Sequence, residues 1–389
     1  MEGQSSRKSG KLNILQVIAP LEIGGAEGIV RTLNQLVNPK YFHVMNCLYV
    51  NPARKANPFF QQLQQLAYPT EIVPMLGASP FALLKNITGL LRIISQHQID
   101  LIHTHGYRSD AVGLIAAKLT KKPIISTVHG WTSATKKVRF YEACQKKLLR
   151  YFHTVIPVSR NISEELEHHG VRSSRLQVLH NIFIPPASPS SCPSIAELRL
   201  QYAIPEKSQV IGVIGRISPE KGQKHLLDAF QLLQKDSAQN DLKLLIVGEG
   251  EARHSLEKYV QKQGLADAVT FTGFQNPLAP FYALIDILVI PSTTEGIPLV
   301  LLEGMSFQKA LVASNVGGIP EIITHRQNGL LAEAGNPRDL AEQILRLLNN
   351  PDQAKSLGRN AYSHFYESCD SEKWIQAIEN LYEQVMTGS

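Results

Sequence analysis

The chain has 389 residues, of which 43% are hydrophobic and 19% charged, a composition typical of a globular protein long enough for two domains. No run of 18 apolar residues occurs, and the first eleven residues, MEGQSSRKSGK, are polar and basic, which argues against a membrane span and against a signal peptide. Residues 1–181 carry a net charge of +12 and the remainder a net charge of −6, so we expect an anionic partner for the first half.

Four cysteines, Cys47, Cys144, Cys192 and Cys369, lie far apart and form no Cys-x-x-Cys pair. This spacing predicts neither a zinc site nor a disulfide framework. Reduced thiols are typical of cytoplasmic proteins, and we expect the chain in that compartment.

The first half alternates buried strands with helices. Residues 12–18 form a nearly continuous apolar run, typical of a buried parallel strand, and a helix follows Gly24 and Gly25. Further strands are predicted at residues 43–50, 71–73, 99–103, 123–128 and 154–158, with helices at 83–95 and 107–119. Such alternation predicts a parallel sheet covered on both faces, with ligands beyond the carboxyl ends of its strands.

Glycines and histidines fall at that predicted edge. Gly24 and Gly25 would let a ligand approach the backbone, although the Gly-x-Gly-x-x-Gly fingerprint of dinucleotide sites is absent. His103 and His105 are predicted to follow one strand, and a packed, hydrogen-bonded role is favoured for them. For His129, in TVHGW after the next strand, a packed and a functional role both stay open. Metal binding is not indicated, because no acidic or cysteine ligands lie nearby in sequence.

Residues 182–208 interrupt the alternation with the Pro- and Ser-rich run IFIPPASPSSCPS, which predicts an interdomain linker. A second set of strands follows at residues 210–214, 242–247, 269–271, 287–290 and 311–313, with helices at 225–233, 340–348 and 374–385. We therefore predict a disordered basic tail (1–11), a first, acceptor-side domain (12–185), a linker (186–208) and a second, nucleotide-sugar-binding domain (209–370). The C-terminal helix, 371–386, is expected to pack back on the first domain.

Two cations open the second half. Arg216 ends a predicted strand, Lys221 lies just before a helix, and Gly215 and Gly222 flank them. Two cations beside a helix N-terminus at a strand end suit a diphosphate. The next such turn, VGEGE at 247–251, lacks the Lys and Ser/Thr of a P-loop, so NTP hydrolysis is not indicated.

The stretch from Asp286 to Ser314 combines a predicted strand, a turn, a helix and a second strand. Pro298 suits the first turn of that helix; Glu295 lies just before it and Glu303 within it. Amide groups at a helix start attract anions, whereas a carboxylate repels phosphate and accepts hydrogen bonds from sugar hydroxyls. The stretch therefore predicts a ligand with both parts, a nucleotide diphosphate that carries a sugar.

Together these motifs resemble the retaining nucleotide-sugar glycosyltransferases of family four, the group 1 type. The resemblance implies an α/β fold of the GT-B type, with two doubly wound Rossmann-like domains that face a cleft. It implies a donor site formed by Gly24, Gly25, Gly215, Arg216, Lys221, Gly248, Glu295, Gly296, Ile297, Leu299 and Glu303.

The resemblance also implies individual roles. Arg216 and Lys221 would bind the donor diphosphate, and Glu295 the hydroxyls of the transferred sugar. Glu303 would hold the ribose. His129 would contact the sugar near its reacting end, so His129, Glu295, Arg216 and Lys221 are the expected catalytic positions. Gly24 and Gly25 would line the junction with the acceptor.

The expected activity is metal-independent transfer of a hexose, with retention, from a UDP- or GDP-sugar to a lipid-linked or saccharide acceptor, in glycolipid, cell-surface or extracellular polysaccharide synthesis. No Asp-x-Asp motif occurs, so the two cations and helix N-termini would meet the diphosphate charge. No cofactor and no nucleic acid is expected. Three alternatives stay open: a nucleotide-sugar 2-epimerase of the same fold, a non-catalytic nucleotide-sugar-binding protein, and a polyanion-binding protein suggested by charge alone.

A basic segment of the first half suggests a membrane. Residues 138–152 have the pattern of a basic amphipathic helix, a form that can lie on an anionic surface. We expect peripheral attachment to the inner face of the cell membrane; the alternative is a solvated helix whose aromatic residues belong to the core. The cations of this region are Lys118, Lys121, Lys122, Lys136, Lys137, Arg139, Lys146, Lys147 and Arg150.

Overall fold

Two parallel sheets of six strands each organise the chain. A computed structural model describes residues 10–20, 24–50, 57–75, 80–132, 135–185, 193–235 and 241–388. The predicted tail lies almost wholly outside these residues. Within them, helices cover both faces of each sheet, as expected for buried parallel strands.

The first sheet has the strand order β3-β2-β1-β4-β5-β6. Its strands are β1 Leu12–Ile18, β2 Phe42–Val50, β3 Thr70–Pro74, β4 Leu101–His105, β5 Ile124–Val128 and β6 Thr154–Pro157. Its helices are α1 Gly25–Leu36, α2 Pro58–Gln65, α3 Pro80–Gln96, α4 Tyr107–Thr120, α5 Lys136–Leu148 and α6 Arg160–His168. Strand β1 reverses the strand order, and the strand ends on both sides of it carry the candidate residues.

The second sheet has the order β12-β11-β10-β7-β8-β9. Its strands are β7 Gln209–Ile214, β8 Leu242–Val247, β9 Val269–Gly273, β10 Ile287–Ile290, β11 Ala310–Ser314 and β12 Leu330–Ala332. The helices of the second half are α7 Ile195–Gln201, α8 Gln223–Gln234, α9 Arg253–Lys262, α10 Ala279–Leu284, α11 Leu299–Ser306, α12 Ile319–Ile322, α13 Pro337–Leu348, α14 Pro351–Ser368 and α15 Ser371–Thr387. The short edge strand β12 was not predicted, because three residues give no usable periodicity.

Strand β4 differs from its prediction in a way that matters for the site. It was predicted at 99–103 but runs from Leu101 to His105, so His103 and His105 lie within the strand and not after it. Pairing sets this register: Ile18 of β1 lies opposite His105, and His105 lies opposite Thr127 of β5. Both histidines are therefore buried in the sheet.

The region predicted as a linker contains a helix. Ser194 caps α7, its side chain accepting a bond from Glu197 N while the Glu197 side chain reaches back to Ser194 N. Leu198 and Ile204 are buried in the core of the second half. The second part of the range predicted as a linker, 186–208, therefore packs on the second half, because the apolar residues after the Pro/Ser run have a core to join. Residues 186–192 lie outside the described residues.

Helix α15 follows the second half in sequence but packs against the first sheet. Trp374, Ile378 and Tyr382 share a buried cluster with Ile14 of β1 and Ile29 of α1. The indole Nε1 of Trp374 donates to the carbonyl of His180, 3.0 Å away. The chain end thus covers one face of the first sheet beside α1.

The basic helix is shorter than the predicted 138–152. It begins after Thr135, whose hydroxyl accepts a bond from Val138 N, and ends at Leu148; a 3-10 turn follows. Leu149 and Phe152, the apolar residues at the end of the predicted range, are fully buried in the core. Part of the expected membrane-facing surface therefore belongs to the interior.

Candidate active site

The two sheets present the carboxyl ends of their central strands to each other. Thr294, in the loop after β10, donates its hydroxyl to the carbonyl of Trp131, in the loop after β5, at 3.1 Å. Gly296 comes so close to the first half that a Cβ there would clash with the carbonyl oxygen of His129 and lie 2.8 Å from Val158 Cγ2. The loops that hold His129 and Glu295 therefore meet.

Three histidines form a stack beneath this contact. The rings of His103 and His105 are 4.4 Å apart, and those of His105 and His129 are 5.4 Å apart. His105 Nε2 lies 2.8 Å from Gln16 Oε1, and its Nδ1 lies 3.1 Å from His129 Nε2. With Gln16 Oε1 as the acceptor, His105 donates from Nε2 and accepts at Nδ1 from His129.

This arrangement leaves the other nitrogen of His129 as an acceptor. His129 Nδ1 is buried and has no hydrogen-bond partner among the described residues. Burial lowers the pKa of His129 to about 4. The ring is therefore neutral near pH 7, and the lone pair of Nδ1 is not used by any bond among the described residues.

His103 and His105 have the packed role that was favoured for them. His103 Nδ1 lies 2.9 Å from the hydroxyl of Tyr382, and its Nε2 lies 2.8 Å from Thr127 Oγ1. Burial lowers the pKa of His103 to about 3 and holds the pKa of His105 well below its usual value. His105 is nonetheless hydrogen-bonded to His129 and fixes the orientation of its ring.

Lys221 and Glu295 lie together in the second half. Lys221 Nζ is 2.6 Å from Glu295 Oε1, and the same oxygen accepts a bond from Ser292 Oγ at 2.7 Å. The Glu295 side chain is 9% exposed and that of Lys221 29%. Both Lys221 and Ser292 bind Oε1, so Oε2 can accept bonds from ligand hydroxyls.

Arg216 is held by a buried acid that the sequence did not single out. The guanidinium pairs with Glu220 Oε1, which also accepts a bond from Ser218 Oγ at 2.8 Å. Gln223 Nε2 donates to the carbonyl of Arg216 at 2.8 Å. These bonds fix the backbone and the side chain of Arg216. The side chain is nevertheless 38% exposed, so the guanidinium still reaches solvent.

Gly215 and Gly248 let the turns after β7 and β8 interlock. Both have positive φ angles, 140° and 139°. A Cβ on Gly248 would clash with the carbonyl oxygen of Gly215, whereas a Cβ on Gly215 would meet nothing within 4 Å. The turn is therefore tightly packed at Gly248 and open at Gly215. Open space at Gly215 would let a ligand approach the backbone closely.

Glu303 lies half-buried in α11 and pairs with Tyr282 of α10. The Tyr282 hydroxyl donates to Glu303 Oε2, and its ring stacks on Phe307 at 4.9 Å. Burial raises the pKa of Glu303, and both Tyr282 and the charge of Arg31 on α1 oppose that rise. Arg31 thus brings a cation of the first half towards the predicted ribose carboxylate.

The remaining predicted residues lie at the contact between the halves. Gly25 at the start of α1 has open space around it, since a Cβ on this residue would meet nothing within 4 Å, and Gly24 caps the helix. Leu299 begins α11 and lies against α1: a Cβ on Gly28 would be 2.6 Å from its Cδ1. The side chain of Ile297 is buried, and its carbonyl accepts a bond from Asn181 at 2.7 Å. Ile297 can therefore contact a nucleotide-sugar donor only through its backbone.

Two family models match this chain. The model described as Glycosyltransferase Family 4 matches residues 24–183, and the model described as Glycosyl transferases group 1 matches residues 194–364. The chain belongs to the group 1 glycosyltransferases of family 4. The membership predicted from the motifs is confirmed, and the chain is a glycosyltransferase.

Similar proteins span most of the chain. An uncharacterized glycosyltransferase of Methanocaldococcus jannaschii is 29% identical, over 75% of this chain and 78% of that protein. N-acetyl-alpha-D-glucosaminyl L-malate synthase of Bacillus anthracis is 27% identical, over 76% and 78%. The crystal structure of Anabaena HepE in complex with UDP-glucose superposes with a TM-score of 0.81 at 23% identity, covering 96% of this chain and 100% of that one. This likeness and the two facing Rossmann-like sheets confirm the GT-B fold.

The glycosyltransferase holds its two halves together by contacts that the sequence did not reveal. Glu321 of α12 accepts bonds from the backbone amides of Arg160 and Asn161 at the start of α6, at 3.0 and 3.2 Å. His180 Nε2 lies 3.0 Å from the same carboxylate. No local pattern marks Glu321 as a cap, because the helix that it caps lies 160 residues earlier.

The described part of the glycosyltransferase holds neither a cluster of metal ligands nor a membrane-spanning helix. No group of three or more His, Cys, Asp or Glu residues among these residues is placed to hold a metal ion. No helix in the same ranges has the length and apolar character needed to cross a membrane.

Proposed function

We propose that this glycosyltransferase moves a hexose from a nucleotide-diphosphate sugar to an acceptor hydroxyl, with retention of configuration and without a metal. The observation that supports it best is the meeting of the loops 294–296 and 129–131. The loops that carry His129 and Glu295, the predicted sugar ligands, meet at this contact, and Glu295 pairs with Lys221.

The two cations would receive the diphosphate. Arg216 and Lys221 are partly exposed, and Glu220 and Glu295 already hold them in place. Charges fixed before the reaction stabilise the departing diphosphate without reorganisation when the bond to the sugar breaks. Their ion pairs are thus compatible with donor binding, because each carboxylate orients its cation.

The sugar would lie between Glu295 and His129. Glu295 Oε2 would accept bonds from sugar hydroxyls while Oε1 keeps its bonds to Lys221 and Ser292. The unpartnered Nδ1 of His129 would accept another hydroxyl from the opposite side. A neutral imidazole also adds no charge that would repel an oxocarbenium-like sugar.

Retention would follow from attack on the face that the diphosphate leaves. The bond from the anomeric carbon to the phosphate oxygen breaks, the acceptor oxygen bonds to the same carbon, and the acceptor proton moves to a phosphate oxygen. Lys221 stabilises the resulting charge. No protein base is required by this route.

The nucleotide would lie against α11, with its ribose at Glu303. Tyr282 occupies one oxygen of that carboxylate, and Oε1 would accept a ribose hydroxyl. HepE was solved with UDP-glucose, so UDP-sugars are the first donors to test, followed by GDP-sugars.

The test begins with a thermal-shift screen of UDP, GDP, UDP-glucose, UDP-N-acetylglucosamine and GDP-mannose. A ligand at 100 times its dissociation constant stabilises by about 2.7 kcal/mol. Incubation with UDP-N-acetylglucosamine alone then separates the enzyme classes, since an epimerase yields the 2-epimer without acceptor. If a nucleotide sugar binds but no nucleotide is released with any acceptor of a panel, the non-catalytic alternative is favoured. No shift with any nucleotide contradicts the proposal.

We further propose that the acceptor is lipid-linked or a saccharide, in glycolipid or polysaccharide synthesis, and that the first half attaches to the cytoplasmic face of an anionic membrane. The described surface there exposes Leu119 and Phe140 at 64% each and Tyr151 at 61%. Lys118 lies over the Tyr151 ring, 4.9 Å from its centroid. Cations beside exposed rings suit a membrane interface.

Liposome flotation tests the attachment. We expect more protein with anionic than with neutral vesicles at low salt, and less after Lys136, Lys137 and Lys147 are changed to Glu. Lys146 is left unchanged because it pairs with Glu165. Equal recovery on both vesicles would remove the membrane from the proposal.

A further inference from the structure

Two tyrosines and two cations form a patch at the carboxyl edge of the first sheet. Tyr107 and Tyr141 stack with their ring centroids 5.8 Å apart at 18°. The Arg108 guanidinium lies 5.5 Å from the Tyr107 centroid, and Lys137 Nζ lies 5.8 Å from the Tyr141 centroid. We call these four residues, with the exposed Phe140 beside Tyr141, the Tyr107–Tyr141 patch.

The patch adjoins the candidate active site. Tyr107 begins α4 two residues after His105, whose Nδ1 contacts His129. Tyr141 precedes Glu142, which accepts a bond from Thr132 N at 2.8 Å. Gln145, one turn further on, accepts a bond from Trp131 Nε1 at 3.0 Å. Helix α5 is therefore fastened to the loop 129–132, and its tyrosine lies level with that loop.

The cations of the patch form no ion pair with an acid in the part of the chain that the structure describes. The only acid within α5 is Glu142, which is buried and turned to Thr132. Asp110, two residues after Arg108, is also buried, and it accepts bonds from Thr104, Ser126 and Gln145. Among the described residues, neither Arg108 nor Lys137 forms an ion pair; Arg108 Nη1 makes a 3.6 Å contact with Met75 Sδ.

We infer that this patch binds an anionic glycosyl acceptor, in which a phosphate or carboxylate lies next to the saccharide that receives the new sugar. The inference rests on the proposed transfer and specifies its acceptor. The guanidinium of Arg108 offers paired N–H donors that match phosphate or carboxylate oxygens, and Lys137 adds a second charge. The exposed aromatic surface gives the sugar ring an apolar face to lie on.

Geometry favours this use over a purely structural one. Arg108 and Lys137 belong to different helices, and each lies over one ring of the stacked pair, so the Tyr107–Tyr141 contact places both cations on one patch at the carboxyl edge of the first sheet. An acceptor on the patch would be next to the loop of His129, where the sugar is transferred.

The experiment compares sugars that share one ring and differ in charge. Wild-type protein saturated with UDP is titrated with glucose, glucuronate and glucose 6-phosphate, and binding is followed by thermal shift. We expect the two anions to bind more tightly than glucose. The double variant Arg108→Gln/Lys137→Gln should lower their affinity about tenfold or more, because bonds to charged groups are lost.

Arg139→Gln is the matched control. It makes the same charge change on α5, but residue 139 lies about 200° around the helix from residue 137, away from the patch. We expect wild-type affinity for the anionic sugars in this variant. Equal loss in both variants would show a general effect of charge and overturn the inference.

The source of the anionic group is decided in a second arm. Vesicles of phosphatidylcholine, with and without phosphatidylglycerol, are added to protein bound to glucose 6-phosphate. Displacement only by the anionic vesicles assigns the patch to a lipid headgroup phosphate; no displacement assigns it to a soluble or saccharide-borne anion.

The outcomes also separate this inference from the proposed function. If UDP raises the melting temperature but anionic sugars bind no more tightly than glucose, the inference is overturned and the proposed transferase function stands. Absence of a UDP or GDP shift contradicts the transferase itself, and anionic binding to the patch would then not be acceptor binding.

Discussion

Lys221 and Glu295 form an ion pair with Nζ and Oε1 2.6 Å apart, although the sequence assigned them to different parts of the donor. The pair joins the turn after β7 to the loop after β10, neighbouring strands at the centre of the second sheet. The cation proposed for the diphosphate and the carboxylate proposed for the sugar are therefore held in direct contact.

Loss of either diphosphate cation should reduce turnover. For Lys221→Ala and Arg216→Ala we expect a decrease of roughly 10²–10³, the usual effect of removing one preorganised donor. Steady-state release of UDP measures it. Lys224→Ala is the control, since Lys224 pairs with Asp228 on the surface of α8. Wild-type rates in both variants would refute the site assignment.

The two carboxylates should differ in what they bind. Glu295→Gln is expected to reduce turnover more than the affinity for free UDP, because Glu295 is assigned to the transferred sugar. Glu303→Gln is expected to weaken UDP itself, because the carboxylate is assigned to the ribose. Calorimetry with UDP on both variants decides the matter, and an equal loss of UDP affinity in the two would show that the roles are wrong.

Stability should fall in mild acid. His103 and His129 keep folded pKa values of about 3 and about 4, below the unfolded value of 6.5, so from about pH 6.5 downwards the unfolded chain binds protons that the folded chain does not. Each histidine then lowers the free energy of unfolding by about 1.4 kcal/mol for each unit that the pH falls, until the pH reaches its folded pKa.

Asp110 opposes this trend over part of the range. Burial raises its folded pKa to about 6, so between about pH 6 and 4 the folded chain binds a proton that the unfolded chain lacks. Urea unfolding at several pH values measures the net slope. His103→Gln should make the slope shallower, whereas the same change at the exposed His168 should not. An unaltered slope in His103→Gln would contradict the explanation.

Gly296→Ala should hinder the approach of the two halves. The added Cβ would clash with the carbonyl of His129. We expect turnover to fall while UDP affinity changes little, because Arg216, Lys221 and Glu303, the residues proposed to hold the diphosphate and the ribose, lie in the second half. Small-angle scattering with saturating donor gives the readout: wild type should become more compact and the variant should not. Compaction in neither protein would count against closure on the donor.

Trp374→Ala should destabilise the first half from the far end of the chain. The ring is buried against the first sheet and donates to His180 O, so we expect a loss of about 3–5 kcal/mol of unfolding free energy. Urea unfolding measures it. Leu200→Ala, at a side chain that is 85% exposed, should change stability by no more than about 0.5 kcal/mol. A small loss in Trp374→Ala would show that α15 is not part of that core.

The sequence by itself determined the alternation of strands and helices, the helix predicted at 340–348, and the position of Glu295 and Glu303 around the start of α11. Each of these depends on residues within one or two turns, where apolar period, Pro and capping residues act directly. Family membership followed from the same local motifs.

Only the tertiary structure decided which distant residues share a site. His103 and His105 became sheet residues because strand pairing, not local polarity, sets where β4 ends. Tyr282 reached Glu303, and Asn181 reached the carbonyl of Ile297, through the packing of elements far apart in sequence. The contact of Gly296 with His129 depends on how two separately folded sheets face each other, and local patterns of residues carry no information about that orientation.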